Sequence, residues 1–175
     1  ATEAIDQLER LSLEDNNFFL AVGFFRPHTP FVAPKRYFDW YEQDSIQIPD
    51  LSEKSLQGIP TQAARSLRTK QNAALVDAKT AREIKEAYYS TISFVDAQVG
   101  RVLDKLEATG LIENTIVVFI SDHGYHLGEH GHWQKQTLFE NATRIPLMIS
   151  IPGSGVVQRS DSPVELLDLY PTLMD

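Results

Sequence analysis

The 175-residue sequence contains no cysteine. That absence excludes a disulfide scaffold, a thiolate zinc site and a cysteine nucleophile within these residues, so any chemistry here must use oxygen and nitrogen groups. Basic residues are also short, 16 Lys and Arg against 24 Asp and Glu, for a net charge of −8. This balance opposes the long positive surface that a phosphate backbone requires, and so argues against nucleic acid as a partner. Long hydrophobic runs are missing too. The longest lies near Ile116 to Ile120, far below the ~20 residues of a membrane span. No basic N-terminus leads into an apolar stretch, so no signal peptide is visible.

What is present is globular in character: 42% hydrophobic, 10% aromatic and 23% charged residues. Disorder and collagen-like repetition are excluded, and the length suits about one domain with a single core. The chain begins with Ala1 and ends inside a stretch of helical pattern, Pro163 to Leu169. It is expected to be a piece of a longer domain.

Ile5, Leu8, Leu11 and Leu13 recur at near-helical spacing and predict an amphipathic helix over residues 4–13. Phe18 to Phe25 is continuously apolar, as a strand buried on both faces of a parallel sheet would be. It stops at Arg26-Pro27-His28-Thr29-Pro30, where two prolines deny backbone donors. From Thr80 to Leu111, Ile84, Tyr88, Ile92, Val95, Val99, Val102 and Leu106 step by three and four, predicting one long helix closed by Gly110. Thr115 to Ile120 predicts a second strand ending at Ser121-Asp122-His123-Gly124, and Pro146 to Pro152 a third. Short helices are expected near residues 61–70 and 137–143. Apolar runs separated by helices predict an α/β fold with a mostly parallel sheet flanked by helices, ligands collecting at the carboxyl ends of the strands.

Four of the five histidines fall between Ser121 and Lys135. An aspartate followed by a histidine at a strand end can aim an oxygen and an imidazole at one ion, and Gly124 lets the backbone turn away. An isolated pair of this kind more often caps a turn. His126 to His130 spells the H-x-x-E-H letters of a zinc protease, but glycines at 124, 128 and 131 oppose the helix that motif needs. Ser121, Asp122 and His123 are consecutive and cannot form a hydrolase triad, and no Gly-x-Ser-x-Gly elbow is present. Lys135 is a compact charge suited to a sulfate or phosphate oxygen. His28, held between prolines, suits a positioned acid or donor. Arg26, Lys35 and Arg36 beside it are either a basic rim or ordinary surface charge, the second being commoner. Asn141-Ala142-Thr143 matches a glycosylation sequon.

Ser121 to Lys135, together with Phe139 to Leu147, resembles the sulfatase family of the alkaline-phosphatase-like superfamily, iduronate-2-sulfatase-like members above all. Arg26 to Phe31, Tyr89 to Leu103 with Asp96 and Gly100, and Asp168 to Leu173 resemble further segments of the same family. The resemblance implies an alkaline-phosphatase/sulfatase-like fold, incomplete here, and residues 1–175 as a partial catalytic domain. It implies Asp122 and His123 as ligands of a divalent metal, Ca2+ by family habit, with His123 keeping Mn2+ or another softer ion open. It also implies His28 and Lys135 as catalytic and substrate-binding contacts to the sulfate or leaving group.

The family's formylglycine nucleophile arises from a C/S-x-P-x-R motif. The only Ser-x-Pro here, Ser150-Ile151-Pro152, lacks the arginine. The nucleophile half of the domain is therefore expected on a missing N-terminal segment, and this chain alone is expected to be inactive. The expected function is hydrolysis of a sulfate ester of a small molecule or glycan, in a periplasmic, secreted or lysosomal setting by resemblance. A phosphate or phosphonate ester hydrolase of the same superfamily, or a non-catalytic degenerate domain, stays open.

Overall fold

The structure, a computed structural model, describes residues 1–67 and 76–175. Its backbone is one long helix with shorter elements laid against it. The helices are α1 (Thr2–Leu11), α2 (Lys35–Phe38), α3 (Thr61–Ser66), α4 (Ala78–Ala108), α5 (Glu140–Thr143) and α6 (Leu169–Met174). Strands β1 (Val117–Ile120) and β2 (Leu147–Ser150) form the sheet. The expected helix at 61–70 is α3 as far as Ser66, and residues 68–70 lie outside the described part.

The α4 helix starts where Asp77 accepts the Thr80 amide at 2.7 Å, satisfying one of the orphan donors of the first turn. It ends at Gly110, whose φ of +74° is the left-handed conformation that closes helices at little cost for glycine. Ala4 and Leu8 of α1 are buried where α1 packs on α4, and Glu9 pairs with Lys105 at 3.1 Å across that contact. Tyr37 of α2 buries its ring 5.5 Å from Phe94. Beyond it, Tyr41 Oη and Ser93 Oγ share a hydrogen bond of 2.6 Å.

The predicted stripe of α4 is met in part: Leu106 is buried and Ile84, Tyr88, Val95, Val99 and Val102 are half-buried, but the most buried positions nearer its start lie elsewhere. Ile92 is 41% exposed, whereas Ala81, Lys85, Ser90 and Thr91 are buried. The hydroxyls of Ser90 and Thr91 donate to the carbonyls of Glu86 and Tyr88, so burying them leaves no donor unsatisfied. Small, internally bonded side chains let neighbouring segments approach closely, and the apolar stripe is left partly open.

The α/β class holds, with a difference in pairing. β1 and β2 are antiparallel, Val117 opposite Ser150 and Ile120 opposite Leu147. Parallel strands need a crossover, usually a helix, to carry the chain back. The connection here, residues 121–146, instead folds on itself, with a helix of only four residues, α5. Residues 18–25 form neither helix nor strand and enter no ladder among the described residues, and Phe19 and Phe25 are 85% and 69% exposed. A strand's backbone groups need a neighbour to bond, and none among the described residues supplies one there.

Candidate active site

The long connection after β1 carries Asp122, His123 and Lys135, three of the four residues singled out by sequence. Leaving Ile120, the chain places Asp122 with its carboxylate outward, 85% exposed, while Asp122 Oδ1 accepts the His123 amide at 3.0 Å. His123 Nδ1 lies 2.7 Å from the carbonyl oxygen of Gly124. A carbonyl can only accept, so Nδ1 carries the proton, and in the neutral ring the lone pair sits on Nε2. That nitrogen faces Asp122 Oδ2 at 3.5 Å. Such a backbone contact on the far nitrogen is how a ligating histidine is commonly oriented.

Among the described residues no three His, Asp or Glu side chains gather around a common point. Asp122 Oδ2 and His123 Nε2 could supply two donors to a cation, fewer than a hard divalent ion takes. Hard oxygen from Asp122 and borderline nitrogen from His123 suit a divalent ion in the Ca2+, Mn2+ or Zn2+ range.

Gly124 is needed for close approach, not for a left-handed turn. Its amide donates to the Ala142 carbonyl at 2.8 Å, and a Cβ there would sit 2.1 Å from the Asn141 carbonyl oxygen. The backbone of α5 therefore lies directly against the Asp122-His123 turn.

The following residues form a hairpin. The His126 amide donates to Gln134 O and the Gly128 amide to His132 O, both at 2.9 Å. That register brings Lys135 level with Tyr125, two residues from His123. The H-x-x-E-H letters accordingly do not lie on a helix: His126 Nε2 meets Thr137 Oγ1 at 2.8 Å, and His130 Nδ1 donates to Ser55 O at 3.1 Å. Burial pulls both His126 and His132 below the ordinary imidazole range, His126 to about 4. Lys135 is half-buried as a residue and makes no ion pair among the described residues.

Phe31, three residues after His28, is what ties the His28 loop to the hairpin. The Phe31 ring packs edge-on against Tyr88 of α4 at 5.4 Å and against Tyr125 of the hairpin at 6.1 Å. His28 itself is exposed, its ring 4.8 Å from Phe25 and its Nδ1 donating to Thr29 O at 2.8 Å. Its Nε2 is therefore the nitrogen left for chemistry, the same arrangement as in His123. No hydrogen bond or ion pair among the described residues joins His28 or Lys135 to the Asp122-His123 pair.

The three neighbouring cations do not form an open rim. Arg26 donates to His28 O at 2.9 Å, Lys35 pairs with Asp39, and Arg36 donates to the Tyr37 hydroxyl at 2.9 Å. The Tyr88, Tyr125 and Phe31 cluster and the His126 to Thr137 bond escape a reading of spacing alone. A usable signal was the turn Glu129-His130-Gly131 between two short segments, a pattern that marks a hairpin.

Comparison with known proteins matches these features to one family. The family model described as Sulfatase matches residues 1–175. A sulfatase of Formosa agariphila is 40% identical over 161 residues, covering 90% of this chain and 32% of its own length. The iduronate 2-sulfatase of Mus musculus is 36% identical over 166 residues, covering 86% of this chain and 29% of its own. Among solved structures, which include sulfatases, the phosphonate monoester hydrolase of Silicibacter pomeroyi superposes with a TM-score of 0.71 at 27% identity, covering 85% of this chain and 32% of that one. The chain spans about a third of the length of the curated relatives it matches. Matched from its first residue to its last, with the alkaline-phosphatase-like fold of that group, the chain belongs to the sulfatase family.

Proposed function

We propose that these residues are part of a sulfatase catalytic domain that hydrolyses a sulfate ester, with a sulfated carbohydrate as the substrate class. The observation that carries the reading is the Asp122 and His123 pair, in which Nδ1–H is spent on Gly124 O and Nε2 faces Asp122 Oδ2 at 3.5 Å. These two residues hold a divalent cation, Ca2+ by family habit, together with ligands from outside the described residues. When bound, the cation supplies positive charge against a sulfate oxygen.

The chain's own residues do the rest of what this half of the site contributes. Lys135, an ammonium without a carboxylate partner among the described residues, offsets charge on a sulfate oxygen or on the leaving oxygen. His28, as an imidazolium whose Nδ1–H is spent on Thr29 O, gives a proton or a hydrogen bond from Nε2 to the leaving oxygen. The nucleophile, a formylglycine in the family resemblance, comes from a segment outside these 175 residues. A carbohydrate ester is supported by the relative named iduronate 2-sulfatase.

A second reading, hydrolysis of a phosphate or phosphonate ester, is favoured by the likeness to a phosphonate monoester hydrolase. Assay of the full-length protein on an aryl sulfate and on an aryl phosphonate separates the two. Faster turnover of the sulfate supports the sulfatase reading, and faster turnover of the phosphonate replaces it. Turnover of neither ester leaves a non-catalytic domain.

A further inference from the structure

The hairpin buries two imidazoles that the proposed chemistry does not use. His126 is fully buried and His132 is 2% exposed, their ring centroids 4.9 Å apart and their planes at 89°. Among the described residues, Nδ1 of His126 and Nε2 of His132 have no hydrogen-bond partner. The Phe139 ring packs edge-on against His126 at 5.8 Å. The titratable groups facing His126 are His132, Glu129 and His130, all from the hairpin itself. Of these, the Glu129 carboxylate already accepts the Leu127 amide at 2.6 Å.

The one bond His126 makes through its ring is to Thr137, itself buried. The Thr137 amide in turn donates to the Lys135 carbonyl at 2.7 Å, and Thr137 Oγ1 accepts the Phe139 amide at 3.4 Å. A ring on the first arm of the hairpin is thus tied to the residue that fixes the end of the second arm. Two backbone bonds hold the arms together above this point, and the ring-to-hydroxyl bond is what continues the pairing past Gln134.

We propose that His126 is a positioning residue, its buried neutral ring acting through Thr137 to hold the backbone on which Lys135 stands. The proposal rests on Lys135 acting at the sulfate ester. An apolar residue of similar size at position 126 could fill the space but could not engage the hydroxyl. A charged one could not be buried there without a carboxylate that is free to receive it.

The test uses the full-length protein with Thr137→Val, which removes only the hydroxyl, His126→Ala, and His126→Gln, whose amide can reach the position of Nε2. For the first two variants, turnover of an aryl sulfate should fall by about tenfold or more with KM changed by less than about threefold. His126→Gln should recover most of the loss. Amide exchange at Thr137 should rise by about tenfold or more in the first two variants and not in the third, with α4 amides unchanged. Unchanged exchange in Thr137→Val would overturn the clamp whatever the activity. Raised exchange with unchanged turnover would overturn the positioning role. If the unmodified protein hydrolyses no sulfate ester but exchange responds as expected, the sulfatase reading falls and the clamp stands.

Discussion

Tyr88 and Tyr125 stack with ring centroids 5.6 Å apart and planes 26° from parallel. One ring belongs to α4 and the other to the hairpin that carries Lys135, and Phe31, three residues after His28, packs edge-on against both. This cluster joins the long helix to two of the segments on which the proposed chemistry depends. Burial raises both phenols above their ordinary range, so they stay neutral and act as apolar plates.

Tyr125→Phe keeps the stack but removes the hydrogen bond from Tyr125 Oη to Trp133 O, 2.8 Å long. Its expected cost is about 1 kcal/mol in denaturant unfolding. Tyr125→Ala removes the stack as well and should cost about 3 kcal/mol. It should also lower turnover more than Tyr125→Phe does, because the His28 loop and the hairpin lose their common contact.

Gly124→Ala should be among the most damaging single changes in the chain. Its Cβ would meet backbone, 2.1 Å from Asn141 O, so the α5 turn must move. The expected loss is about 3 kcal/mol. Gly128→Ala combines a φ of +103° with a contact of 2.8 Å to the Trp133 ring. Gly131→Ala, at φ +68° in open space, is the control and should cost about 1 kcal/mol. Equal losses at 124 and 131, measured by chemical unfolding, would remove the close-approach argument.

The buried imidazoles make the fold sensitive to acid. His126 binds its proton in the unfolded chain near the ordinary value of 6.5 and in the folded chain only near about 4. The folded state therefore keeps its full contribution above 6.5 and loses it progressively as pH falls toward 4. The loss amounts to about 3 kcal/mol across that window. His132 shifts in the same direction from burial. Denaturant midpoints measured from neutral to mildly acid pH should fall, and should fall less in His126→Gln. A flat profile would show that His126 titrates normally.

Lys135→Ala in the full-length protein should lower turnover of an aryl sulfate by about tenfold or more. Lys135→Arg keeps the charge in a different shape and should recover part of it. Unchanged turnover in Lys135→Ala would take this residue out of the site.

Local signals read well in this sequence. The long helix, its Gly110 stop and the strands at 117–120 and 147–150 are fixed by periodicity, turn residues and β-branched runs within each segment. What spacing could not supply was partnership. The apolar run at Phe18 to Phe25 reads as a strand but forms none here, since a ladder depends on a neighbouring chain, and antiparallel pairing of β1 with β2 depends on how residues 121–146 fold between them. In the site, Asp122 and His123 stood out by composition and position. The function of Gly124 was legible only as a turn, because its true constraint is the approach of a backbone 17 residues away, at Asn141. His126 looked like a ligand letter in a protease motif, and a hairpin register that no single motif encodes turned it toward Thr137.

The central claim is that Asp122 and His123 hold a divalent cation as part of a larger ligand set. Calorimetric titration of Ca2+ and Mn2+ into the metal-stripped full-length protein, beside Asp122→Ala and His123→Ala, tests it most directly. One site per chain is expected, weakened about tenfold or more by either substitution, with only weak binding by residues 1–175 alone, since two donors cannot close a six-coordinate shell. Affinity unchanged in both variants, or tight stoichiometric binding by the 175-residue chain on its own, would contradict it.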